Sequence, residues 1–259
     1  MGDRARAAVA GTRGGWGTPS EVGGQRAPTA DTRVALEEAW SRAALREHAS
    51  IASFARFTLQ LLQLGAPAQL VRDAGRAMQD EIAHAELCFA LASRFAGRSI
   101  GPEELETEGS CTAMAPADII EGAIVEGCIG ETMAAFEASE ALRNCEDDGA
   151  YRVLSAIERD EAKHAELAWR FVAWALETLP EAWVRPAAEK AFSRGARQLR
   201  ASRAPLQSEG LQSELERFGV PPASLRPALV ERVLTRVVEP CSRAVLSGSW
   251  PDTGQWSSP

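Results

Sequence analysis

The 259-residue sequence predicts an all-α protein: a four-helix bundle with one long crossover between its second and third helices, followed by additional C-terminal helices. Three observations predict it. The chain is dominated by Ala, Leu, Arg and Glu, all strong helix formers, and holds a single Tyr. Apolar residues recur at helical spacing through four long segments. The connections between those segments run short, long, short, which is how a bundle with one crossover is wired.

Each element has a local reason. Residues 1–30 are glycine-rich, carry scattered Arg and show no hydrophobic period, and they read as a disordered arm. From Asp31 or Thr32, a plausible N-cap, a stripe of Leu36, Trp40, Ala44, Ile51, Phe54, Thr58 and Leu61 predicts a helix over 32–64 that stops at Gly65. Pro67 suits the first turn of a second helix over 67–96, whose stripe passes Leu70, Ala74, Ala77, Glu81, His84 and Cys88 before Gly97. About 20 residues rich in Gly and Glu then lead to Pro116 and a third helix over 116–144. Fully extended, such a segment reaches roughly 60–70 Å, more than the roughly 45 Å length of a helix of about 30 residues. It can therefore run the whole bundle, and the third helix is expected to begin at the end where the first begins. Asp147 or Asp148 caps a fourth helix over 149–178, which Pro180 closes. The bundle thus occupies 31–179. A C-terminal extension, 180–259, holds an Arg-rich helix near 181–203, a short one near 208–218, an apolar-periodic one near 222–247 and a flexible tail. It is expected on the outside of the bundle or at an oligomer contact, a homodimer being the simplest case.

Composition narrows the partners. With 45% hydrophobic and 25% charged residues the chain can bury one sizeable core. A net charge of -8 offers no general attraction for nucleic acid or anionic lipid. No apolar run approaches the 18 or so residues of a membrane span, and no secretory signal opens the chain, so a cytoplasmic protein without membrane or nucleic-acid partners is expected. The five cysteines, Cys88, Cys111, Cys128, Cys145 and Cys241, form no CxxC pair and read as free thiols rather than a disulfide framework, zinc ribbon or rubredoxin-type iron centre.

The chemistry lies in an internal repeat. Asp80-Glu81-Ile82-Ala83-His84-Ala85-Glu86-Leu87 recurs 80 residues later as Asp160-Glu161-Ala162-Lys163-His164-Ala165-Glu166-Leu167, with six of eight positions identical. Upstream, Glu47 precedes Glu81 by 34 residues and Glu126 precedes Glu161 by 35, and Phe57 and Phe136 each follow their Glu by ten. The bundle reads as two copies of one helical hairpin. In each copy Glu and His stand three apart on one helix face, giving a metal one oxygen and one nitrogen ligand from each helix. A single ExxH pair is weak evidence. Two pairs at mid-helix, each with an upstream Glu at matching depth, predict a dinuclear site of Glu47, Glu81, His84, Glu126, Glu161 and His164. These glutamates fall on apolar stripes, where unpaired carboxylates would cost several kcal/mol each. Two divalent cations would neutralise four of them.

This order of Glu, ExxH, Glu, ExxH resembles the ferritin-like diiron-carboxylate superfamily, and bacterioferritin, rubrerythrin and the ribonucleotide reductase small subunit are similar in the pattern. The resemblance spans about residues 32–178. It implies a cofactor of two iron ions, with manganese the alternative, and glutamates of the ExxH pairs in bridging roles. It also implies that Asp80 and Asp160 lie behind the ligands, each accepting a hydrogen bond from an imidazole of the opposite hairpin. Glu131 competes with Glu126 for the third-helix position; the internal repeat selects Glu126, leaving Glu131 as a nearby carboxylate that swings onto the metals in some relatives. His48, about 100° round the helix from Glu47, reads as a packing or surface residue. Glu86, Glu166, Glu121 and Glu158 read as solvated acids. Gly122, Gly127 and Gly130 signal either close helix packing or room beside the metals.

A reduced diiron pair delivers two electrons to dioxygen. The expected function is therefore an oxidase or oxygenase of an organic small molecule, served by a separate reductase, with residues 180–259 as a roof over the substrate pocket. The alternatives are a ferritin-like ferroxidase that stores iron and a peroxidase or manganese catalase that consumes peroxide. Radical storage is disfavoured because the one tyrosine, Tyr151, precedes Glu161 by ten residues, roughly 15 Å along the helix.

Overall fold

The computed structural model describes residues 10–11, 15–17, 22–23, 27–107, 114–202 and 209–250. It is all-helical apart from a two-residue antiparallel pairing of β1 (Ala10–Gly11) with β2 (Gly101–Pro102). α1 (Ala30–Gln63) starts at Thr29, whose hydroxyl accepts from the Thr32 amide, and gives way to a left-handed Gly65. α2 (Ala68–Ala96) follows Pro67 and ends on Gly97, also left-handed, whose N–H donates to the Ser93 carbonyl. Pro116 opens the third long helix, which is not uniform: α3 (Pro116–Gly122) passes through a π-helical segment (Ala123–Glu131) into α4 (Thr132–Leu142). α5 (Asp148–Thr178) is capped by Asp147 and stops before Pro180.

The crossover does run the length of the bundle. Near its start Arg98 donates to Glu37, early in α1, at 2.7 Å; at its far end the Met114 carbonyl accepts from Gln63, at the close of α1, at 2.8 Å. It delivers α3 to the end where α1 finishes, opposite to the sequence expectation. The reason is topological: α2 has already returned the chain to the start of α1, so a full-length crossing leads to the other end.

The core falls into two apolar clusters with a polar layer between them. One, at the finishing end of α1, gathers Phe54 and Leu61, Leu70 to Ala77 of α2, Ile119 to Met133, and Leu167 to Ala175 of α5. The other, at the starting end, gathers Leu36 to Ala44, Ala85 to Phe95, Ala138 and Ala141, and Ala150 to Ile157. The gaps between clusters, along α1, α2 and α5, hold Glu47, Glu81, His84, Glu161 and His164, all buried.

After α5 come α6 (Glu181–Ala201), α7 (Gln212–Arg217), α8 (Arg226–Val233) and α9 (Glu239–Leu246), with a second π segment (Leu234–Val238) between the last two. α6, α8 and α9 add Val184, Phe192, Val230 and Val245 to the first cluster. Trp169 of α5 stacks on Phe192 and Trp250 with ring centroids 5.4 and 5.9 Å apart. α7 tethers the start of the bundle, where Glu214 accepts from the amide and hydroxyl of Thr29 and from the hydroxyl of Thr32.

The expected disordered arm and flexible tail lie largely outside the described residues. Where the arm is described it packs on the bundle: Val22 is buried, and Trp16 stands edge-on to His48 with centroids 4.8 Å apart. Gly17, at φ +96°, approaches α2 so closely that a Cβ would meet the Glu86 carbonyl at 2.3 Å. No helix among the described residues is long and apolar enough to cross a membrane.

Candidate metal centre

Side-chain atoms of Glu47, Glu81, His84 and Glu161 lie within 4.8 Å of one another, and so do those of Glu81, Glu131, Glu161 and His164. The two quartets share Glu81 and Glu161. The ExxH spacing explains the convergence, because residues three apart on α2 and α5 present carboxylate and imidazole to the same height. Both imidazoles point Nδ1 inward: His164 Nδ1 is 3.1 Å from Glu81 and 3.6 Å from Glu161, and His84 Nδ1 is 3.9 Å from Glu161 and 4.0 Å from Glu47. Outward, His164 Nε2 faces Asp80 at 3.3 Å and His84 Nε2 faces Asp160 at 3.5 Å. Each ring thus reaches across to the aspartate of the other hairpin.

Five buried atoms at the centre have no hydrogen-bond partner among the described residues: both Glu81 oxygens, Glu161 Oε2, and Nδ1 of His84 and His164. The 3.1 Å approach of His164 to Glu81 lacks the alignment of a hydrogen bond. Orphaned atoms in so dry a place are costly. Two cations, one in each quartet, would satisfy all five, so the donor set fits a metal.

The electrostatics agree. Burial, reinforced by Glu81 and Glu161, pushes the Glu47 carboxyl well above its ordinary range, and burial together with Glu161 does the same to Glu131. Burial also raises Glu81, against the pull of His164. Glu161 is lowered in spite of burial, because the neighbouring His164, Glu131 and His84 favour its charged form. Burial opposes protonation of His164, but Glu161 and Glu81 outweigh it and carry the imidazole up to about 10. Without a cation the cluster balances its charge with protons. Asp160 is held well below its usual value despite burial, by Arg159 at 2.9 Å and Lys163 at 2.8 Å, and so stays an acceptor for His84.

Glu126 stands apart. It is exposed and pairs with Arg56 at 2.7 Å, while Glu131 takes the position in the cluster that the repeat assigned to Glu126. The π segment accounts for this. In a regular α-helix the two residues would point about 140° apart; hydrogen bonding from i to i+5 brings residues five apart closer to one side. Both consequently border one cavity, Glu131 at its floor and Glu126 at its mouth. The three glycines, Gly122, Gly127 and Gly130, lie in or beside this segment and were the only sequence signal of it. Gly127 serves close packing, since a Cβ there would meet Ala168 of α5 at 2.5 Å.

The cavity has a volume of about 80 Å³, several times the space of one water. Phe54, Phe57, Leu167 and Ala168 form apolar walls, and His164 joins Glu131 at the floor. No described residue of 180–259 lines it. The described part of the C-terminal extension packs instead on the outer side of the π segment, where Gly195 fits against Ile129, and that part does not roof the pocket. His48 stays outside the cluster beside Trp16, Glu86 and Glu166 are exposed, and Glu121 pairs with Arg194. Tyr151 is also exposed. Cys88, Cys128, Cys145 and Cys241 are free thiols, and Cys111 lies outside the described residues. No family model, curated protein or solved structure matches the chain.

Proposed function

We propose that the chain is a ferritin-like dinuclear iron protein that uses dioxygen to oxidise a small organic molecule, with electrons delivered by a separate reductase. The observation that carries this reading is the pair of buried quartets sharing Glu81 and Glu161, with unpartnered atoms aimed at a common centre. Glu47, Glu81, Glu131 and Glu161 balance two divalent cations. Mixed carboxylate and imidazole ligation suits iron, with manganese the alternative.

Glu47, Glu81, His84 and Glu161 would hold one ion; Glu81, Glu131, Glu161 and His164 would hold the other, with Glu81 and Glu161 between them. When bound and reduced, an iron pair supplies the two electrons that dioxygen activation requires. The residues provide the rest. Asp80 and Asp160 fix the imidazole rings and strengthen them as donors. Phe54, edge-on to His164 at 5.0 Å, keeps water from that ring. Glu131 and His164 border the cavity, so a molecule lodged there lies beside the second quartet. That cavity favours an organic substrate over iron storage, in which Fe2+ itself is consumed.

Aerobic titration of the metal-free protein with Fe2+, following ferric absorbance and iron retained per chain, tests the reading. Saturation at two irons supports it. Continued uptake of many irons by a large assembly would establish a storage ferroxidase instead, and no retention would remove the dinuclear site altogether.

A further inference from the structure

We propose that the cavity beside the carboxylate and imidazole cluster binds a small organic carboxylate, with Arg56 holding the carboxylate at the mouth and the apolar body pointing inward to Glu131 and His164. This names a substrate class for the function proposed above; the oxidation of the bound molecule rests on that reading, whereas its binding does not.

The cavity is polar at both ends and apolar between them. Its mouth is marked by Arg56 and Glu126, whose side chains are 26% and 42% exposed, and its floor by His164, at 2%. Among the described residues Arg56 is the one lysine or arginine that lines it, while at the floor the His164 imidazole is already faced by Glu81 at 3.1 Å and Glu161 at 3.6 Å. An anionic ligand group therefore meets an incompletely engaged cation at the mouth and a carboxylate-rich cluster at the floor. Of the Arg56 guanidinium, only Nη2 is engaged, by Glu126 Oε2 at 2.7 Å; its other N–H groups have no partner among the described residues. The planar fork of arginine matches a carboxylate with two parallel hydrogen bonds. Phe54 and Phe57, one turn apart on α1, offer flat walls to an aromatic or aliphatic body. Glu126 competes with an incoming carboxylate for the same guanidinium. Removing its charge should therefore tighten carboxylate binding, a sign that a merely structural pair would not give.

Gly122 supplies an independent handle. A Cβ there meets no heavy atom of the described residues within 4 Å, and the residue lines the cavity, so there is room for a large side chain at the cavity wall.

The test uses the full chain, metal-free and loaded with redox-inert Zn2+, titrated calorimetrically with benzoate, benzamide and benzylamine as probes. Benzoate should bind about tenfold more tightly than benzamide, the scale of one charge-assisted pairing. Arg56→Gln should abolish that preference and leave benzamide unchanged, whereas Glu126→Gln should enlarge it. Gly122→Phe should abolish binding of both. Equal binding of benzoate and benzamide, tighter binding of benzylamine, or a benzoate preference that survives Arg56→Gln would overturn the proposal; the last would assign the carboxylate to the metal. Zinc bound per chain is measured on the same samples. A failure to bind two would sink the dinuclear reading while leaving the metal-free comparison of Arg56 variants to be judged by itself.

Discussion

His164 Nε2 lies 3.3 Å from Asp80 Oδ2, and the two residues belong to opposite helical hairpins. His84 and Asp160 reverse the arrangement at 3.5 Å. With the proton on Nε2, each ring donates to an aspartate across the bundle and turns a lone pair on Nδ1 toward the cluster. The two halves of the repeat therefore orient each other's imidazoles, and the cluster forms only when both hairpins are docked.

Asp80→Asn should weaken metal binding by about 10–100-fold without unfolding the chain, because Asp80 is 38% exposed and its loss leaves no deeply buried charge. Competition with a chelator of known affinity measures this. Unchanged affinity would mean that the cross-bundle contact does not tune the ring.

Glu131→Gln and Glu126→Gln separate the two helix positions. The first should lower retained metal from two ions per chain toward one, and the second should leave two, since Glu126 faces Arg56 rather than the cluster. Metal analysis of dialysed protein reads the difference, and the reverse pattern would contradict the placement of Glu131.

Metal binding should release protons. His164 is raised to about 10, so at neutral pH its imidazole carries a proton that a cation must displace, and burial pushes the Glu47 and Glu131 carboxyls in the same direction. Apparent metal affinity therefore rises with pH and falls as the solution is acidified. Calorimetry in buffers of different ionisation enthalpy should count at least about one proton per chain. Saturating metal should also raise the thermal midpoint by roughly 10 °C.

Arg94 grips Asp147 through two contacts of 2.8 Å while the same carboxylate caps α5 by accepting from the Ala150 amide at 3.0 Å. Burial opposes ionisation of Asp147, but Arg94 and the helix amides prevail and lower it. A lowered folded value means that this contribution is fully present above the ordinary carboxylate range, about pH 4, and is lost as pH falls through the depressed value. Asp147→Ala should cost about 3 kcal/mol and blunt the acid side of the stability profile. A denaturant midpoint unchanged at neutral pH would refute the role.

Much of this was legible in the sequence because α-helical spacing governs it. The stripes of Leu36 to Leu61 and Leu70 to Cys88 delimit α1 and α2 nearly to the residue, and the ExxH pairs put Glu81, His84, Glu161 and His164 on faces that the fold brings together. The features that escaped are departures from that spacing. Glu131 enters the cluster through nine residues of π-helix, which no α-helical wheel anticipates, and the internal repeat pointed to Glu126 because it aligns residues without knowing their turn. The glycines of the third helix allowed for room beside the cluster without placing it, since Phe54, Met114, Gly122 and Leu167 meet there only through tertiary packing.

The most direct test of the central claim is a crystal of the metal-loaded protein with anomalous scattering recorded at the iron edge. Two peaks about 3.5–4 Å apart are expected, one touched by His84 and Glu47, the other by His164 and Glu131, with Glu81 and Glu161 reaching both. A single peak, or two peaks with Glu126 in place of Glu131, would contradict the account.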